Sequence, residues 1–350
     1  MSGGPQNFLS RVNKELDDYD LKNYKIFNPN GEIKSYLDKD NLFKVARMDG
    51  ALYYKSTSNN LYNLVLQRYY KYRKFFKLLK YLPNSSTMIM NCIINNYLNR
   101  NSKQLQEKSD IVIFQSKLSM QMQEKFVGSW FKKKPYTIIP NGIPLDIFNP
   151  NTEKINLEGY PKLVITASFR LHKRLQDAIR LTNSLKISKY PNIKLHVIGD
   201  MDILTKNMLK NLDITNIVLH GRVDSELLPK FYNSCDVGLS PSMFDPCPNS
   251  VVEMMGCGLP VITVKESGAS ELIQVDDLII EENLELKYYE LQTLEKLPQI
   301  DIQKWSIVIE KVLNNYKSYK EKVLNIVQNQ LDIKIIAKQY VEFIGVNSGK

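Results

Sequence analysis

The second half of the chain alternates short apolar runs with longer segments in which apolar residues recur at helical spacing. Strands are predicted at 162–167, 194–198, 216–219, 237–239 and 261–264, with helices near 174–189, 203–212, 225–234 and 250–257. Such alternation is typical of βαβ units, which build a parallel doubly wound sheet through right-handed crossovers. This half is therefore predicted to be a Rossmann-like α/β domain.

The first half is less regular. Strands are predicted at 24–27, 43–46, 110–114 and 136–139, whereas periodicity leaves 87–99 open as a strand or a helix. Asn141-Gly142 and the neighbouring prolines predict a compact turn that leads into a linker. The chain should therefore divide into an N-terminal domain at 1–148 and a C-terminal domain at 149–332. The last helical segment, about 333–346, is expected to pack back on the first domain.

Composition narrows the class of protein. A hydrophobic fraction of 43% and a charged fraction of 24% are those of a soluble globular protein. The first twenty residues form no secretory signal, and no apolar stretch approaches the roughly 20 residues that span a bilayer. The four cysteines show no paired framework and the three histidines no ligand spacing. We therefore expect a cytoplasmic protein without a zinc site.

The net charge of +10 is concentrated in one window. Residues 51–100 contain eight basic residues and no acidic residue. Within 61–82, apolar and aromatic residues recur at helical spacing with basic residues between them, which predicts a basic amphipathic helix. Such a helix could bind an anionic membrane surface or a partner, or it could be an ordinary domain helix with a solvated face. Nucleic acid ranks lowest because no recognised binding motif accompanies the segment.

Residues 236–263 read as a strand, an acidic loop, a short helix, a glycine stop and a second strand. Ser250 and Glu253 have the spacing of a capping box, so the helix is predicted to begin near Ser250. Asp245 lies in the loop before it, eight positions from Glu253. Taken singly, Glu253 could serve only as a cap and Asp245 as a solvated loop residue. Together they flank a helix N-terminus at the carboxyl end of a parallel strand, where open α/β sheets bind ligands.

Further motifs lie along the chain. They are GGPQNF at 3–8, DIVIFQSKLS at 110–119, IIPNGIPLDIF at 138–148, ASFRLHKR at 167–174, HVIGD at 196–200, HGRV at 220–223 and FDPCPNSVVEMMGCGLPVI at 244–262. Through these motifs the chain resembles the family 4, or group 1, glycosyltransferases, strongly over 136–274 and less over 1–135. The resemblance implies a GT-B fold with two Rossmann-like parallel-sheet domains facing a central cleft. The family's glycine loop usually follows a strand, so the N-terminal domain is expected to lack its first strand or to begin upstream.

The resemblance also implies catalytic and donor-binding residues. The family's hallmark is a pair of glutamates, and their positions here hold Asp245 and Glu253. Glu253 would bind the donor ribose, and Asp245, one methylene shorter than the family's residue, would lie beside the donor sugar. Donor-binding positions would be Arg170, Lys173, Arg174, Asn249, Ser250, Val251, Gly199, Gly3 and Gly4. Cations at a helix start oppose its dipole, which also favours a bound anion near 170–174.

The implied reaction is sugar transfer from a nucleotide-diphosphate sugar with retention of anomeric configuration. No cofactor or metal is expected, because basic residues can neutralise the charge on the leaving group. The donor phosphate can take the acceptor's proton, so a protein base is not compulsory. Many members carry a histidine near the acceptor, but this chain has none before His172, so Arg47 and Asp49 are the acceptor-side candidates. For Asp49, a turn role with Gly50 is an equal alternative.

Two rival interpretations remain. Asp200-Met201-Asp202 has the DxD pattern by which another glycosyltransferase architecture holds a divalent metal, but it lies within the βαβ rhythm. The alternative function is an inactive nucleotide-sugar or glycan-binding GT-B protein. The expected partners are a nucleotide sugar and a glycan, glycolipid or protein acceptor, with peripheral membrane association through 61–82.

Overall fold

A computed structural model describes residues 4–19, 24–27, 43–48, 100–243, 245–282 and 299–348. The statements that follow concern this part of the chain. The basic segment 61–82 lies outside it, as do Gly3, Asp49 and the ambiguous segment 87–99. In the described residues, no helix is both long and apolar enough to cross a membrane.

The first domain contains a four-stranded parallel sheet in the order β1-β2-β3-β4. Its strands are β1 Tyr24–Phe27, β2 Phe43–Met48, β3 Ile111–Phe114 and β4 Tyr136–Ile138. All four residues of β3 are buried, as the continuous apolar run IVIF predicts for a central parallel strand. The four strands predicted in this half are confirmed, with boundaries shifted by one or two residues.

The helices of the first domain cover its sheet. Helix α1 is Gly4–Leu16, residues 100–108 are helical, and α2 is Lys117–Phe126. In α1, Phe8, Val12 and Leu16 recur every four residues and are buried in the domain core. One face of α1 is thereby fixed to the sheet.

The second domain contains a six-stranded parallel sheet in the order β10-β9-β8-β5-β6-β7. The strands are β5 Lys162–Thr166, β6 Lys194–Ile198, β7 Ile217–Gly221, β8 Val237–Ser240, β9 Val261–Val264 and β10 Ile279–Ile280. The five predicted strands are confirmed, and the two-residue β10 is an addition too short to give a periodic signal. Between β5 and β8 the strand order reverses, which is where a doubly wound sheet opens a ligand crevice.

Helices connect these strands and cover both faces of the sheet. They are α3 Leu175–Ser188, α4 Ile203–Leu209, α5 Leu228–Ser234, α6 Asn249–Gly256 and α7 Gly268–Ile273. The first four correspond to the predicted helices. Helix α7 follows β9 and begins with a Ser267 side-chain cap.

The C-terminal region is helical. It comprises α8 Ile302–Asn314, α9 Tyr316–Ile326 and α10 Ile333–Ser348. Trp305 in α8 and Val323 in α9 belong to the core of the second domain, whereas Ile336 and Tyr340 in α10 pack with Phe8 in the first domain. The chain therefore returns to the first domain after β10, and α10 lies against α1.

Candidate active site

The candidate site lies where the strand order of the second sheet reverses. The loop after β5 contains Arg170 and Lys173, and the loop after β8 contains Asp245 and leads into α6. Because β5 and β8 are neighbouring parallel strands, their carboxyl ends meet at one edge of the sheet. The fold thus brings together side chains more than seventy positions apart in the sequence.

Lys173 forms an ion pair with Asp245. The Lys173 Nζ ammonium donates to Asp245 Oδ2, and both side chains are mostly covered. Arg170 is exposed nearby on the same loop. The site therefore combines one carboxylate with cationic groups that could face an anionic ligand.

The backbone around Asp245 is held by the start of α7. Gly268 N–H donates to Asp245 O at 2.8 Å, and Ser267 Oγ donates to the same oxygen at 3.4 Å. A Cβ atom added at Gly268 would lie 1.8 Å from Pro246 O. Only glycine permits this close approach, so α7 fixes the loop that carries Asp245.

Glu253 contacts the first domain. Arg11 Nη2 in α1 donates to Glu253 Oε1 at 3.0 Å, across 242 positions of sequence. The predicted capping box is wrong: α6 begins at Asn249 after Pro248, and no side chain caps it. The carboxylate of Glu253, which the capping box would use at the helix end, instead forms an ion pair with a first-domain helix.

Burial shapes the electrostatics of Glu253. Removal from water raises its pKa, and the neighbouring Arg11 guanidinium opposes that rise. Burial and the charge of Glu253 together raise the pKa of Tyr232 well above its usual range. The Tyr232 hydroxyl lies beside Thr166 and Glu253, and its interaction with Glu253 also opposes the rise in the pKa of Glu253. Glu253 thus lies among buried polar groups of its own domain.

The N-terminus of α6 is tied to the segment that joins the domains. Asn141 Nδ2 donates to Asn249 Oδ1 at 2.6 Å and to Cys247 O at 3.0 Å. Ser250 is half-buried and Val251 is fully buried in the core of the second domain. The side chain of Val251 therefore packs inward, and its backbone N–H donates to Pro248 O at 3.1 Å, so Val251 offers no group to the expected diphosphate.

Arg47 lies at the same junction. Its guanidinium is fully buried, with Nε donating to the Tyr340 hydroxyl at 2.6 Å and Nη2 donating to Asn141 Oδ1. The guanidinium carbon lies 4.1 Å from the centroid of the Phe8 ring. This position differs from the acceptor-side role expected for Arg47, because a residue enclosed between α1, α10 and the interdomain segment is not open to an acceptor.

Arg174 also turns away from the loop. It precedes α3 in a left-handed conformation with φ 57°, and its Nε donates to Asp177 Oδ2 at 2.7 Å. Its Nη1 donates to Met243 Sδ at 3.0 Å, and the side chain is fully buried. Asp177, in the first turn of α3, neutralises the positive charge of Arg174, which was expected to pair with a bound anion. The structure therefore separates Arg174 from its expected place beside Arg170 and Lys173.

The glycines that were expected to bind the donor lie in different structural environments. Gly199 follows β6 with φ 131°, and a Cβ there would lie 1.9 Å from Ala167 O. It therefore allows close packing of two loop backbones beside the site. Gly4 is the first residue of α1 rather than part of a loop.

In the DxD segment, Asp202 caps a helix. Asp202 Oδ1 accepts from Thr205 N–H at 2.8 Å at the start of α4, and this contact accounts for Asp202 without a role as a metal ligand.

His172 adds an ionisable group to the loop after β5. Burial lowers its pKa to about 3, assisted by the charge of Lys173 and opposed by Asp245. The imidazole is therefore neutral at neutral pH and adds no positive charge to the site.

Sequence comparison gives these residues a family context. Residues 148–288, which include Asp245 and Glu253, match the family of glycosyl transferases group 1. The matched residues make up most of the second domain, which is called the group 1 domain below because of this similarity. An uncharacterized glycosyltransferase of Methanocaldococcus jannaschii is 25% identical over 193 residues, which are 52% of this chain and 46% of that protein. The chain thus spans about half the length of this curated relative.

Solved structures extend the likeness to both domains. Sucrose-phosphate synthase from Thermosynechococcus elongatus matches with a TM-score of 0.64 at 15% identity, covering 100% of this chain and 81% of that one. Anabaena HepE in complex with UDP and glucose matches with a TM-score of 0.58 at 15% identity, covering 98% and 96% of the two chains. Such low identity shows the fold alone. The group 1 domain and the first domain together form the GT-B architecture.

Sequence reasoning missed two residues at the site. Arg11 belongs to α1, a helix that was not predicted from the sequence, and nothing local indicates a partner in the group 1 domain. Asn141 was predicted only as a turn residue, although its amide joins Arg47 to Asn249. The signal for Asn141 was its place at the domain boundary, where few residues can contact both domains.

Proposed function

We propose that this protein is a retaining glycosyltransferase that uses a nucleotide-diphosphate sugar and needs no metal. The observation that carries the proposal is the arrangement of Asp245, Lys173 and Glu253 at the point where the second sheet reverses its strand order. Two carboxylates and a cation lie around the start of α6. This set suits a donor that carries hydroxyls at both ends and a diphosphate between them.

Each part of the donor has a matching group. Glu253 accepts hydrogen bonds from the ribose hydroxyls, and the backbone at Asn249 and Ser250 faces the diphosphate at the positive end of the α6 dipole. Arg170 and Lys173 neutralise the charge that develops on the leaving nucleotide. Asp245, paired with Lys173, accepts from the hydroxyls of the donor sugar.

In the proposed reaction one bond forms, one bond breaks and one proton is transferred. The acceptor oxygen forms a bond to the anomeric carbon on the face from which the nucleotide departs, and the bond from that carbon to the phosphate oxygen breaks. The acceptor's proton passes to the departing phosphate. A protein base is therefore not required, which agrees with the absence of a histidine before His172.

Uridine diphosphate is the first nucleotide to test. HepE, similar in fold, was solved in complex with UDP and glucose, and the pneumococcal O-GlcNAc transferase GtfA was solved in complex with UDP and GlcNAc. We propose a UDP-sugar as the donor on this basis. Glycans, glycolipids and proteins remain the classes of acceptor.

A thermal-shift screen against nucleotide sugars tests donor binding. A ligand present at about 100 times its dissociation constant stabilises a protein by about 2.7 kcal/mol, enough for a clear rise in melting temperature. We expect a UDP-sugar to stabilise the wild type and to lose its effect on Glu253→Ala. If no nucleotide sugar raises the melting temperature, the proposed function is wrong. Stabilisation without turnover favours the alternative, a nucleotide-sugar-binding GT-B protein.

We also propose peripheral membrane association through residues 61–82. Its support is the run of basic residues between aromatic and apolar ones, which suits an anionic lipid surface. Vesicles containing phosphatidylserine should bind the protein weakly and in a salt-sensitive manner. Unchanged binding after neutralisation of Lys71, Lys74 and Lys77 would contradict this proposal.

A further inference from the structure

Arg11 is held in a fixed place between the two domains. Its helix α1 is anchored because Phe8 and Val12, on either side of Arg11 in sequence, are fully buried in the first-domain core. The guanidinium carbon lies 5.3 Å from the centroid of the Phe148 ring, and the side chain is largely covered. Phe148 in turn packs against α6 near Gly256. The position of the guanidinium is therefore set by groups from both domains.

The partner of Arg11 is the carboxylate assigned to the donor ribose. Arg11 Nη2 contacts Glu253 Oε1 at 3.0 Å. An ionised carboxylate has about four lone-pair sites, so one donor from Arg11 leaves acceptor capacity for two ribose hydroxyls. A guanidinium hydrogen-bonded to one oxygen also restricts rotation of the carboxylate plane.

We propose that Arg11 is a positioning residue that keeps Glu253 ionised and oriented for the donor ribose. This inference rests on the proposed function, because it assumes that Glu253 binds a nucleotide. Its consequence is that the donor site of the group 1 domain is complete only when α1 of the first domain packs against it. Donor affinity is thereby coupled to the relative position of the two domains.

The electrostatics of the site support this role. Burial raises the pKa of Glu253, Arg11 is the principal group that opposes the rise, and the Tyr232 hydroxyl in α5 opposes it to a smaller extent. The pKa values of Tyr232 and Cys257 are raised by burial and by Glu253, so both groups stay uncharged near neutral pH. Without Arg11, a larger fraction of Glu253 would be protonated near neutral pH. A protonated carboxyl accepts fewer hydrogen bonds, so the affinity for ribose would fall as the pH is lowered.

The opposite role makes the opposite prediction. If Arg11 occupied the ribose position and blocked it, removal of its charge would strengthen nucleotide binding. The position of Arg11 beside Phe148, rather than in contact with the loops at 170–173 and 245, favours support of Glu253 over obstruction.

Calorimetric titration with UDP, GDP and ADP tests the inference. The proteins are the wild type, Arg11→Met, Arg11→Lys and Lys14→Met, each at pH 6 and pH 8. Lys14 is exposed on the same helix, so Lys14→Met removes one charge from α1 without touching Glu253. Melting temperatures establish that each variant is folded, and Arg11→Lys keeps a positive charge beside Glu253 if removal of the charge prevents folding.

We expect Arg11→Met to bind the preferred nucleotide roughly tenfold more weakly than the wild type at pH 8. The deficit should grow at pH 6, whereas Lys14→Met should match the wild type and Arg11→Lys should recover part of the loss. Equal or tighter binding by Arg11→Met overturns the inference, as does a deficit that is the same at both pH values. If the wild type binds none of the three nucleotides, the proposed function fails and this inference fails with it.

Discussion

Asn141 Nδ2 donates a 2.6 Å hydrogen bond to Asn249 Oδ1, and this contact joins the segment between the domains to the first residue of α6. The same amide group accepts from Arg47, whose guanidinium also contacts Tyr340 in the C-terminal helix. One asparagine therefore connects the first-domain sheet, the returning helix α10 and the proposed phosphate-binding helix. Its substitution should affect both stability and donor binding.

Replacing Asn141 with alanine should lower the free energy of unfolding by about 1–3 kcal/mol. The physical reason is that the buried Arg47 guanidinium loses an acceptor and Cys247 O loses a donor. Urea unfolding of the purified variant measures the change. Nucleotide affinity should fall as well, because the side chain of Asn249 loses the hydrogen bond from Asn141.

Asn141→Asp separates the two sides of this contact. An aspartate can still accept from Arg47, but it has no N–H to donate to Cys247 O. We expect stability to recover only in part. As a control, Asn329→Ala removes an exposed amide that bonds within its own helical turn, and it should change stability by less than about 0.5 kcal/mol. A loss for Asn141→Ala no greater than that for the control would contradict the role of Asn141.

Gly268→Ala should displace the loop that carries Asp245. The new methyl group would lie 1.8 Å from Pro246 O, a backbone atom that no side-chain rotation can move away. We expect a loss of about 2 kcal/mol or more in the free energy of unfolding, together with loss of nucleotide-sugar binding. Chemical denaturation and calorimetry measure the two effects.

Gly345→Ala is the matched control for that change. Gly345 lies in α10, and a Cβ there meets no atom within 4 Å. Alanine in a helix interior is favoured over glycine by about 0.5–1 kcal/mol, so this variant should be slightly more stable than the wild type. Similar behaviour of the two alanine variants would show that the contact between Gly268 and Pro246 is unimportant.

The titration of His196 should lower the free energy of unfolding in mild acid. Its Nδ1 lies 3.0 Å from His220 Nε2 and its Nε2 lies 3.1 Å from Glu158 O, so a neutral His196 can donate from Nε2 to the carbonyl and accept at Nδ1 from His220. Burial lowers the pKa of His196 to about 4, below the value of about 6.5 in an unfolded chain. The unfolded state therefore binds more protons between these values. The contribution is complete above pH 6.5 and is lost as the pH falls toward 4, by about 1.4 kcal/mol per pH unit.

Urea unfolding between pH 7 and pH 5 measures this dependence. Carboxylates, His172 and His220 titrate in both proteins, so the difference between the wild type and His196→Gln reports His196 together with its contact with His220. The glutamine amide can still donate to Glu158 O but binds no proton in this range. We expect the stability of His196→Gln to depend less on pH than that of the wild type. Parallel curves would contradict the assignment.

The sequence predicted the strands well and the tertiary partners poorly. Val237–Ser240 and Ile111–Phe114 are continuous apolar runs, and such runs identify buried parallel strands without knowledge of their neighbours. Glu253 was assigned to a capping box because a local pattern was available. Its partner, Arg11, lies 242 positions away, and no periodicity relates the two residues.

Arg47 and Arg174 illustrate the same limit. Arg174 was assigned to the donor through the family resemblance, and Arg47 to the acceptor side because the chain has no histidine before His172. In the folded chain both guanidinium groups are fully buried, where Asn141 and Tyr340 bind one and Asp177 binds the other. The exposed Arg170 and the half-buried Lys173 lie on the loop after β5, where Lys173 pairs with Asp245.

Release of nucleoside diphosphate from the preferred nucleotide sugar, measured with a panel of glycan and lipid acceptors, tests the central claim most directly. We predict acceptor-dependent release by the wild type and a loss of at least roughly 100-fold in Asp245→Ala and Glu253→Ala. Glu226→Ala, which removes an exposed carboxylate from the same domain, should retain full activity. Donor binding without release across the whole panel, or unchanged release by both alanine variants, would contradict a glycosyltransferase that works through Asp245 and Glu253.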